Sequence, residues 1–477
     1  MSLSSVPSVK FGTSGLRGRS EAFSADLVCA YVGGFLDTAC ATADSRQVAI
    51  ARDLRDSSPL IAARVAASIS ALGWHPINCG TVPTPALAAY ALARRIPAIM
   101  VTGSHIPADY NGLKFYRPDG ELLKSDEAAI EAEAKACFNA ALSLEPTLPD
   151  PDPTAESEYR ARYRDAFAPT ALAGLNIAVF QHSAVGRDAL AQLLEALGAI
   201  VKTVGRSEEF VAVDTEALEP EAMVQIKAVL DTGQYHVVVS TDGDGDRPLI
   251  VDATGTQING DLLGALTARF IGARTIVTPL TSTSALEQSQ WFDTIARTRI
   301  GSPFVVEKMA QINTDAIAGF EANGGFLLQS DFALAHGTLK RLPTRDAVLP
   351  IVAVLAAVAA RRVSITDLVT ELPRRVMRAA RLKDIVPDHA LELVENLARS
   401  SELRAGFAAD LAHPVTIDTT DGTRLTTEAG DVIHFRPSGN APELRCYVET
   451  ANADQTSATL SIMMAALERH LSTGGNA

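Results

Sequence analysis

His236–Asp252 reads HVVVSTDGDGDRPLIVD. Its two apolar runs, HVVVS at His236–Ser240 and LIVD at Leu249–Asp252, read as short buried strands on either side of a loop. In the loop Asp242, Asp244 and Asp246 alternate with glycines, and Arg247 follows at once. A single Asp-Gly pair between strands is an ordinary turn. Three carboxylates at every second position repel one another unless a cation compensates them. Carboxylate oxygens are hard ligands suited to Mg²⁺ or Mn²⁺, and glycine lets the backbone curl so that all three can face one point. A D-x-D-x-D run also opens a calcium-binding EF-hand loop. Here the twelfth position is Ala253 rather than Glu, and the flanks are strand-like rather than helical. Arg247 is placed to meet a phosphate beside the metal.

Outward from this loop, β-rich runs alternate with Ala/Leu-rich helical patterns. Val48–Ala51, Ala98–Thr102, Leu175–Phe180 and Thr275–Pro279 read as strands. Helices are expected from about Ser58 to Leu72, with Ile61, Val65, Ile69 and Leu72 on one face, and near Arg187–Leu197. Strands interleaved with helices predict α/β domains with parallel or mixed sheets. The last hundred residues differ. Strands at Val415–Asp418, Val432–Phe435 and Arg445–Glu449 precede a helix from about Asp454 to His470, an α+β module. The Pro- and Asp-rich EPTLPDPDP (Glu145–Pro153) reads as a linker, with further boundaries near Ala253–Asp261 and Ala360–Pro373. The expected domains are thus 1–150, 151–255, 256–368 and 369–477, in keeping with a chain of 477 residues.

Composition narrows the function. The chain is 47% apolar and 21% charged, as a soluble globular protein is, and its formal charge is −14. That charge speaks against nucleic acid or an anionic membrane as partner, while leaving room for a local basic pocket. Five scattered cysteines without C-x-x-C spacing read as reduced thiols. The N-terminus lacks the apolar core of a signal peptide, and no run is long and apolar enough to span a membrane, so a cytoplasmic protein is expected.

Four further loops carry reactive residue types. In TGSHIPADYNGLKFY (Thr102–Tyr116), Ser104 follows a strand at the end where parallel α/β sheets place ligands, and Gly103 permits a sharp turn. A serine hydroxyl is a weak nucleophile that needs a base or metal; His105 is adjacent and Lys114 returns on a short strand. In RPSGNAPELR (Arg436–Arg445), Ser438, Gly439 and Asn440 can form an anion nest of backbone N–H groups, with Arg436 as a bidentate phosphate donor and Arg445 closing the loop. In GFEANGGF (Gly319–Phe326), Glu321 and Asn323 can exchange hydrogen bonds with sugar hydroxyls. FGTSGLRG (Phe11–Gly18) presents Arg17 between glycines.

In this order the five loops resemble the alpha-D-phosphohexomutase superfamily, over essentially the whole chain from Phe11 to Glu449. The resemblance implies three similar α/β domains with mixed sheets and a C-terminal α+β domain, four in all, around a central cleft. It implies that Ser104 is the phosphorylated serine, and that Asp242, Asp244 and Asp246 hold Mg²⁺ together with a phosphoserine oxygen. It sets Arg247 beside the phosphoryl group and Arg17, His105 and Lys114 around the reacting oxygens. Lys114 would be the proton shuttle, a role that requires cationic neighbours to lower its pKa. Glu321 and Asn323 would read the sugar, and Arg436, Ser438, Gly439, Asn440 and Arg445 would bind the distal phosphate.

Three departures stand out. Ile106 replaces an Asn of the phosphoserine loop, Asn323 and Gly325 replace the Ser and His of the sugar loop, and Asn440-Ala441 replaces Thr-Glu. The implied reaction interconverts hexose 6-phosphate and hexose 1-phosphate through a hexose 1,6-bisphosphate, the chain acting as monomer or small homo-oligomer. TGSH rather than TASH favours mannose phosphate over the glucose and glucosamine phosphates. A noncatalytic phosphosugar-binding protein and a metal-dependent phosphatase are the alternatives.

Overall fold

The computed structural model describes residues 9–12, 15–137, 145–438 and 442–473. The chain forms two compact units, Met1–Val277 with Gly301–Val369, and Thr278–Ile300 with Thr370–Ala477.

The first unit contains three α/β layers. In the first sheet Gln47–Arg52 pairs in parallel with His75–Asn78 and Ala98–Val101, and Ala98–Val101 pairs antiparallel with Tyr110–Arg117. Leu16–Arg19 extends that edge, with Arg17 opposite Gly112. Val48, Ile50, Ile99, Val101, Leu113 and Phe115 of the strands pack with Ile61, Val65 and Ile69 of the helix Ser58–Ala71. The four-residue spacing of those helical side chains produces this stripe. Leu72 falls just past the last turn and is 38% exposed, so it does not continue the stripe. The Pro-rich stretch 145–153 forms no strand and lies along this layer, the Pro149 carbonyl accepting from Asn78 Nδ2 at 2.7 Å.

In the second sheet Asn176–His182 pairs in parallel with Ile200–Arg206 and Val237–Thr241. Val237–Thr241 and Pro248–Asp252 are antiparallel and in register, Thr241 opposite Pro248. The acidic loop is therefore a hairpin connection between two strands buried along their whole length. In the third, Thr275–Val277 pairs in parallel with Ile317–Gly319, and Ile317–Phe320, Phe326–Leu328 and Leu342–Asp346 run antiparallel in succession. All three sheets are mixed, as expected.

The second unit holds an antiparallel sheet in the order Val376–Lys383, Glu443–Thr450, Val432–Pro437, Thr423–Thr426, Thr416–Asp418. Ile433, Phe435, Leu444, Cys446 and Val448 meet Ala390, Val394 and Leu397 of the helix Pro387–Arg399 and Met463, Ala466 and Leu467 of the helix Ala453–Thr473. The α+β reading holds, with more in it than expected. The strand Val376–Lys383 and the helices Pro387–Arg399 and Ser401–Phe407 lie between the expected boundary near Ala360–Pro373 and the expected strand Val415–Asp418, where no element was expected. VMRAARLK alternates weakly, because none of its residues is fully buried and only a few, such as Leu382, pack against the core.

Two buried imidazoles give the fold a pH dependence. His182 Nε2 donates to the Thr241 carbonyl at 2.9 Å and His434 Nε2 to the Asp421 carbonyl at 2.6 Å. Burial lowers both from the usual 6.5 to about 4. Between those values the unfolded chain binds the extra protons, so stability is full above about pH 6.5 and falls as pH drops towards 4. Each group contributes up to about 3 kcal/mol over the window. Melting temperatures measured from pH 7 to 4.5 should decline, and H434Q should flatten the decline; a flat profile in the parent protein would contradict this.

Candidate active site

Ser104 is placed by a clamp that the sequence did not announce. Asp53 and Arg55, in ARDLRDSS after the strand Gln47–Arg52, are fully buried and paired at 3.2 Å. Asp53 accepts from the Thr102 hydroxyl at 2.7 Å, from the Gly103 N–H at 3.3 Å and from the Ser58 hydroxyl at 2.5 Å. The Arg55 guanidinium donates to the carbonyls of Ser104, Ile106, Pro107 and Tyr110, at 3.0, 2.6, 2.5 and 2.9 Å. One planar fork thus gathers four carbonyls of the loop. Its carbon stands 4.1 Å from the Phe210 ring centroid, a cation–π contact.

The clamp also explains the glycine beside Ser104. The expected sharp turn falls on Ser104 itself, at φ 54°, and not on Gly103. A Cβ at Gly103 would lie 2.4 Å from the Arg55 guanidinium carbon, so glycine is required by close approach. The serine carries the strained backbone, the pattern expected where a loop is held for function.

Ser104 Oγ donates to Asp242 Oδ2 at 2.8 Å and lies 3.4 Å from His105 Nδ1. The serine loop and the acidic hairpin therefore meet at their reactive atoms. Asp242, Asp244 and Asp246 are at most 1% exposed, and one ligand oxygen from each lies within 4.8 Å of the others. Gly245 provides the turn, at φ 76°. Asp242 Oδ1 accepts from the backbone N–H groups of Asp246 and Arg247, both at 3.1 Å. Asp244 Oδ1 and Asp246 Oδ1 are buried and have no hydrogen-bond partner among the described residues. Buried carboxylate oxygens are not left unpaired without cause. Two such oxygens converging beside a third carboxylate can hold a metal ion, and the donor set suits a hard divalent cation.

Cations surround the triad. Lys114 Nζ donates to Asp244 Oδ2 and Asp246 Oδ2, both at 2.6 Å, and the Thr84 hydroxyl to Asp244 Oδ2 at 2.5 Å. Arg345 Nη2 reaches Asp246 Oδ2 at 2.7 Å, and Arg247 Nε stands 3.9 Å from Asp246 Oδ1. Arg17 donates to the Thr102 carbonyl. Burial and the two neighbouring carboxylates push Asp242 well above the usual range. For Asp244 burial acts in the same direction, but Lys114 and Thr84 outweigh it and the group is lowered. Asp246 is also lowered, burial being overcome by Arg345 and Lys114. Burial, with Arg247 and Arg17 close by, takes His105 down to about 4 and keeps it neutral; burial lowers Arg17 to about 10. The groups that the Lys114 ammonium hydrogen-bonds are two carboxylates, because the lysine fills the acidic pocket.

Glu321 and Asn323 lie in the hairpin turn between Ile317–Phe320 and Phe326–Leu328, and both are buried. Asn323 Oδ1 accepts from the Gly325 N–H at 3.0 Å. Glu321 Oε2 accepts from Arg345 Nη1 at 2.9 Å. Arg345, in the TRD of the strand Leu342–Asp346, was missed together with Asp53 and Arg55. An isolated Arg in a strand carries no signal until its partners are known.

In the second unit Arg436, Ser438 and Arg445 share one hairpin. Arg436 stands opposite Arg445, and Arg445 opposite Arg381 on the next strand. Facing cations destabilise a sheet unless anions intervene. Asp421 takes Arg436 Nε at 2.8 Å, and Glu443 takes Arg381 at 3.1 Å and Arg445 at 3.4 Å. Gly439 and Asn440 lie outside the described residues.

Known proteins resemble this chain over most of its length. Models of phosphoglucomutase/phosphomannomutase alpha/beta/alpha domains I, II and III match residues 8–140, 158–255 and 259–376. A phosphomannomutase of Sinorhizobium fredii is 40% identical over 96% of this chain and 98% of its own length. The chain belongs to the phosphoglucomutase/phosphomannomutase family. It is a mutase, an intramolecular phosphotransferase, with three α/β domains and a further C-terminal domain of sheet and helices. A Salmonella muenchen phosphomannomutase is also 40% identical, over 92% of each chain. A phosphoglucosamine mutase of Hyphomonas neptunium is 29% identical over 77% of this chain and 83% of its own. Among solved structures, a family protein of Burkholderia thailandensis superposes with a TM-score of 0.78 at 19% identity, covering 98% of both chains. The N-acetylphosphoglucosamine mutase of Aspergillus fumigatus, solved with GlcNAc-6P and magnesium, superposes with a TM-score of 0.56 at 14% identity, covering 97% of this chain and 96% of its own.

Replacing Arg55 by Met would leave Asp53 buried without its cation. The R55M protein should lose about 3–5 kcal/mol of stability in urea unfolding, and its activity should fall even where it remains folded. Parent-like stability would show that the clamp is dispensable.

Proposed function

We propose that this mutase interconverts the 6- and 1-phosphates of mannose, with Ser104 as the phosphorylated nucleophile. The observation that carries the reading is the contact of Ser104 Oγ with the acidic hairpin, next to two unpaired carboxylate oxygens. The mannose preference is supported by the TGSH form of the serine loop. It is also supported by the greater likeness to phosphomannomutases than to the phosphoglucosamine mutase. The division of labour follows the proposed domains 1–150, 151–255, 256–368 and 369–477, one loop from each.

In the forward direction the bond from phosphorus to Ser104 Oγ breaks as one forms to the free hydroxyl oxygen of the hexose phosphate, yielding a hexose 1,6-bisphosphate. Ser104 then takes back the other phosphoryl group. Phosphoryl transfer depends mainly on positioning and charge neutralisation. Asp242, Asp244 and Asp246 would hold Mg²⁺, which when bound neutralises charge on the phosphoryl oxygens. Arg247 and Arg17 add fixed positive charge, and Lys114 moves the hydroxyl proton. Neutral His105 can hydrogen-bond beside Ser104 without adding charge. Glu321 and Asn323 orient the sugar, while Arg436, Ser438, Gly439, Asn440 and Arg445 take the non-reacting phosphate. The phosphorylated hexose is the partner; the net charge of −14 disfavours nucleic acid. Among the described residues no helix is long and apolar enough to cross a membrane, which accords with a cytoplasmic enzyme.

Purified protein, supplied with Mg²⁺ and a hexose 1,6-bisphosphate, should turn over mannose 1-phosphate better than glucose 1-phosphate or glucosamine 1-phosphate. A glucosamine preference would overturn the substrate assignment, and release of inorganic phosphate in place of isomer would indicate a phosphatase. Intact mass should show one added phosphoryl group that S104A abolishes along with activity. Mg²⁺ should bind more tightly to the phosphorylated than to the dephosphorylated protein, since a phosphate oxygen completes the ligand set.

A further inference from the structure

We infer that Arg345 is a specificity-determining residue of the sugar site, acting as a positioning residue that locks Glu321 to the acidic hairpin. The inference rests on the mutase reading above and deepens it. Arg345 is 3% exposed and lies on the strand Leu342–Asp346, outside every loop that the sequence singled out. Its two terminal nitrogens serve different loops: Nη1 donates to Glu321 Oε2 at 2.9 Å and Nη2 to Asp246 Oδ2 at 2.7 Å. A planar guanidinium fixes the relative direction of its two donors, so the carboxylate proposed to read the sugar is held in register with a carboxylate proposed to hold the metal. Asp246 Oδ2 also accepts from Lys114, which leaves Asp246 Oδ1 as the unpaired atom. Losing the fork would therefore free Glu321, while Lys114 still serves Asp246 Oδ2.

The surroundings show that the place is built for this side chain. A Cβ at Gly325 would stand 2.9 Å from the Arg345 Cγ and Cδ and from the Asp246 carbonyl oxygen. The turn of the sugar hairpin thus yields its own side-chain space to the arginine stem. Asn323 is committed to the Gly325 N–H through its Oδ1. Glu321 is then the charged acceptor of that turn, and its orientation is set by Arg345. Hexoses differ in which hydroxyls are axial or equatorial, so a carboxylate held in one direction accepts one pattern better than another. A freely rotating carboxylate adapts to several. Selectivity arising from such a directed polar contact is lost when the direction is lost.

The test is R345K, which keeps the charge but offers one ammonium that cannot serve both carboxylates as a fork. Its kcat/KM for mannose 1-phosphate relative to glucose 1-phosphate should move towards unity by about tenfold or more, mainly through KM. Phosphorylation of Ser104 by hexose 1,6-bisphosphate should still appear in the intact mass. E321Q should shift the ratio in the same direction, and the double variant should add little further, because both changes break one contact. If R345K is unfolded at the assay temperature, R345Q takes its place. A ratio unchanged from the parent would overturn the inference, whether both rates fall together or neither falls. Full additivity with E321Q would do the same. A parent protein that turns over neither sugar would overturn the mutase reading itself, which separates the two failures.

Discussion

Three buried carboxylates within 4.8 Å of one another set the terms for the rest of the first unit. At such distances in a poorly solvated interior, like charges cost many kcal/mol unless they are neutralised. The chain meets this from several elements at once. Lys114 comes from the strand Tyr110–Arg117, Arg345 from Leu342–Asp346, and Arg247 from the hairpin itself. The carboxylates do not share the compensation equally. Asp244 and Asp246 hold the lysine and the arginine and are lowered, whereas Asp242 faces Ser104 and is raised. The asymmetry leaves two oxygens unpaired and one carboxylate bonded to the serine, a division that suits a metal and a phosphoryl acceptor side by side.

Around that centre the structure relies on single buried arginines that each serve several acceptors. Arg55 closes the serine loop by taking four of its carbonyls, and Arg345 ties the Glu321 hairpin to the acidic hairpin. Both are hidden from solvent, and both require a neighbouring glycine to make room, Gly103 for one and Gly325 for the other. A loop fixed by one rigid fork is more exactly placed than one fixed by several flexible contacts, at the cost of strong dependence on one residue. The left-handed backbone at Ser104 is held in the same way.

The reactive residues of the first unit could be read in the sequence because they sit in short loops with unusual local composition. Ser104, His105, Lys114, Arg17, Arg247 and the three aspartates all come from such loops or the strands beside them, and Ser104 and Lys114 hydrogen-bond the aspartates directly. Glu321 and Asn323 are present in the expected turn, although their visible partners are Arg345 and the backbone of Gly325. Asp53, Arg55 and Arg345 escaped notice for one reason. Each acts across more than twenty residues of chain on groups that carry no mark in its own neighbourhood. The strand Val376–Lys383 escaped for a related one, since a strand with no fully buried residue leaves only a faint pattern in its side chains.

The sequence by itself determined the class of chemistry. Three alternating aspartates, a serine after a strand and an arginine-flanked turn are local arrangements whose reactivity follows from residue type and spacing. It also determined the mixed α/β layers, because apolar periodicity reports which face each element buries. Only the tertiary structure decided how charge is apportioned among Asp242, Asp244 and Asp246, that Lys114 is held by carboxylates, and that two arginines far apart in the chain bond the Ser104 and Glu321 loops. Those outcomes depend on distances between segments brought together by folding. Electrostatic and hydrogen-bond energies vary steeply with such distances, and spacing along the chain does not specify them.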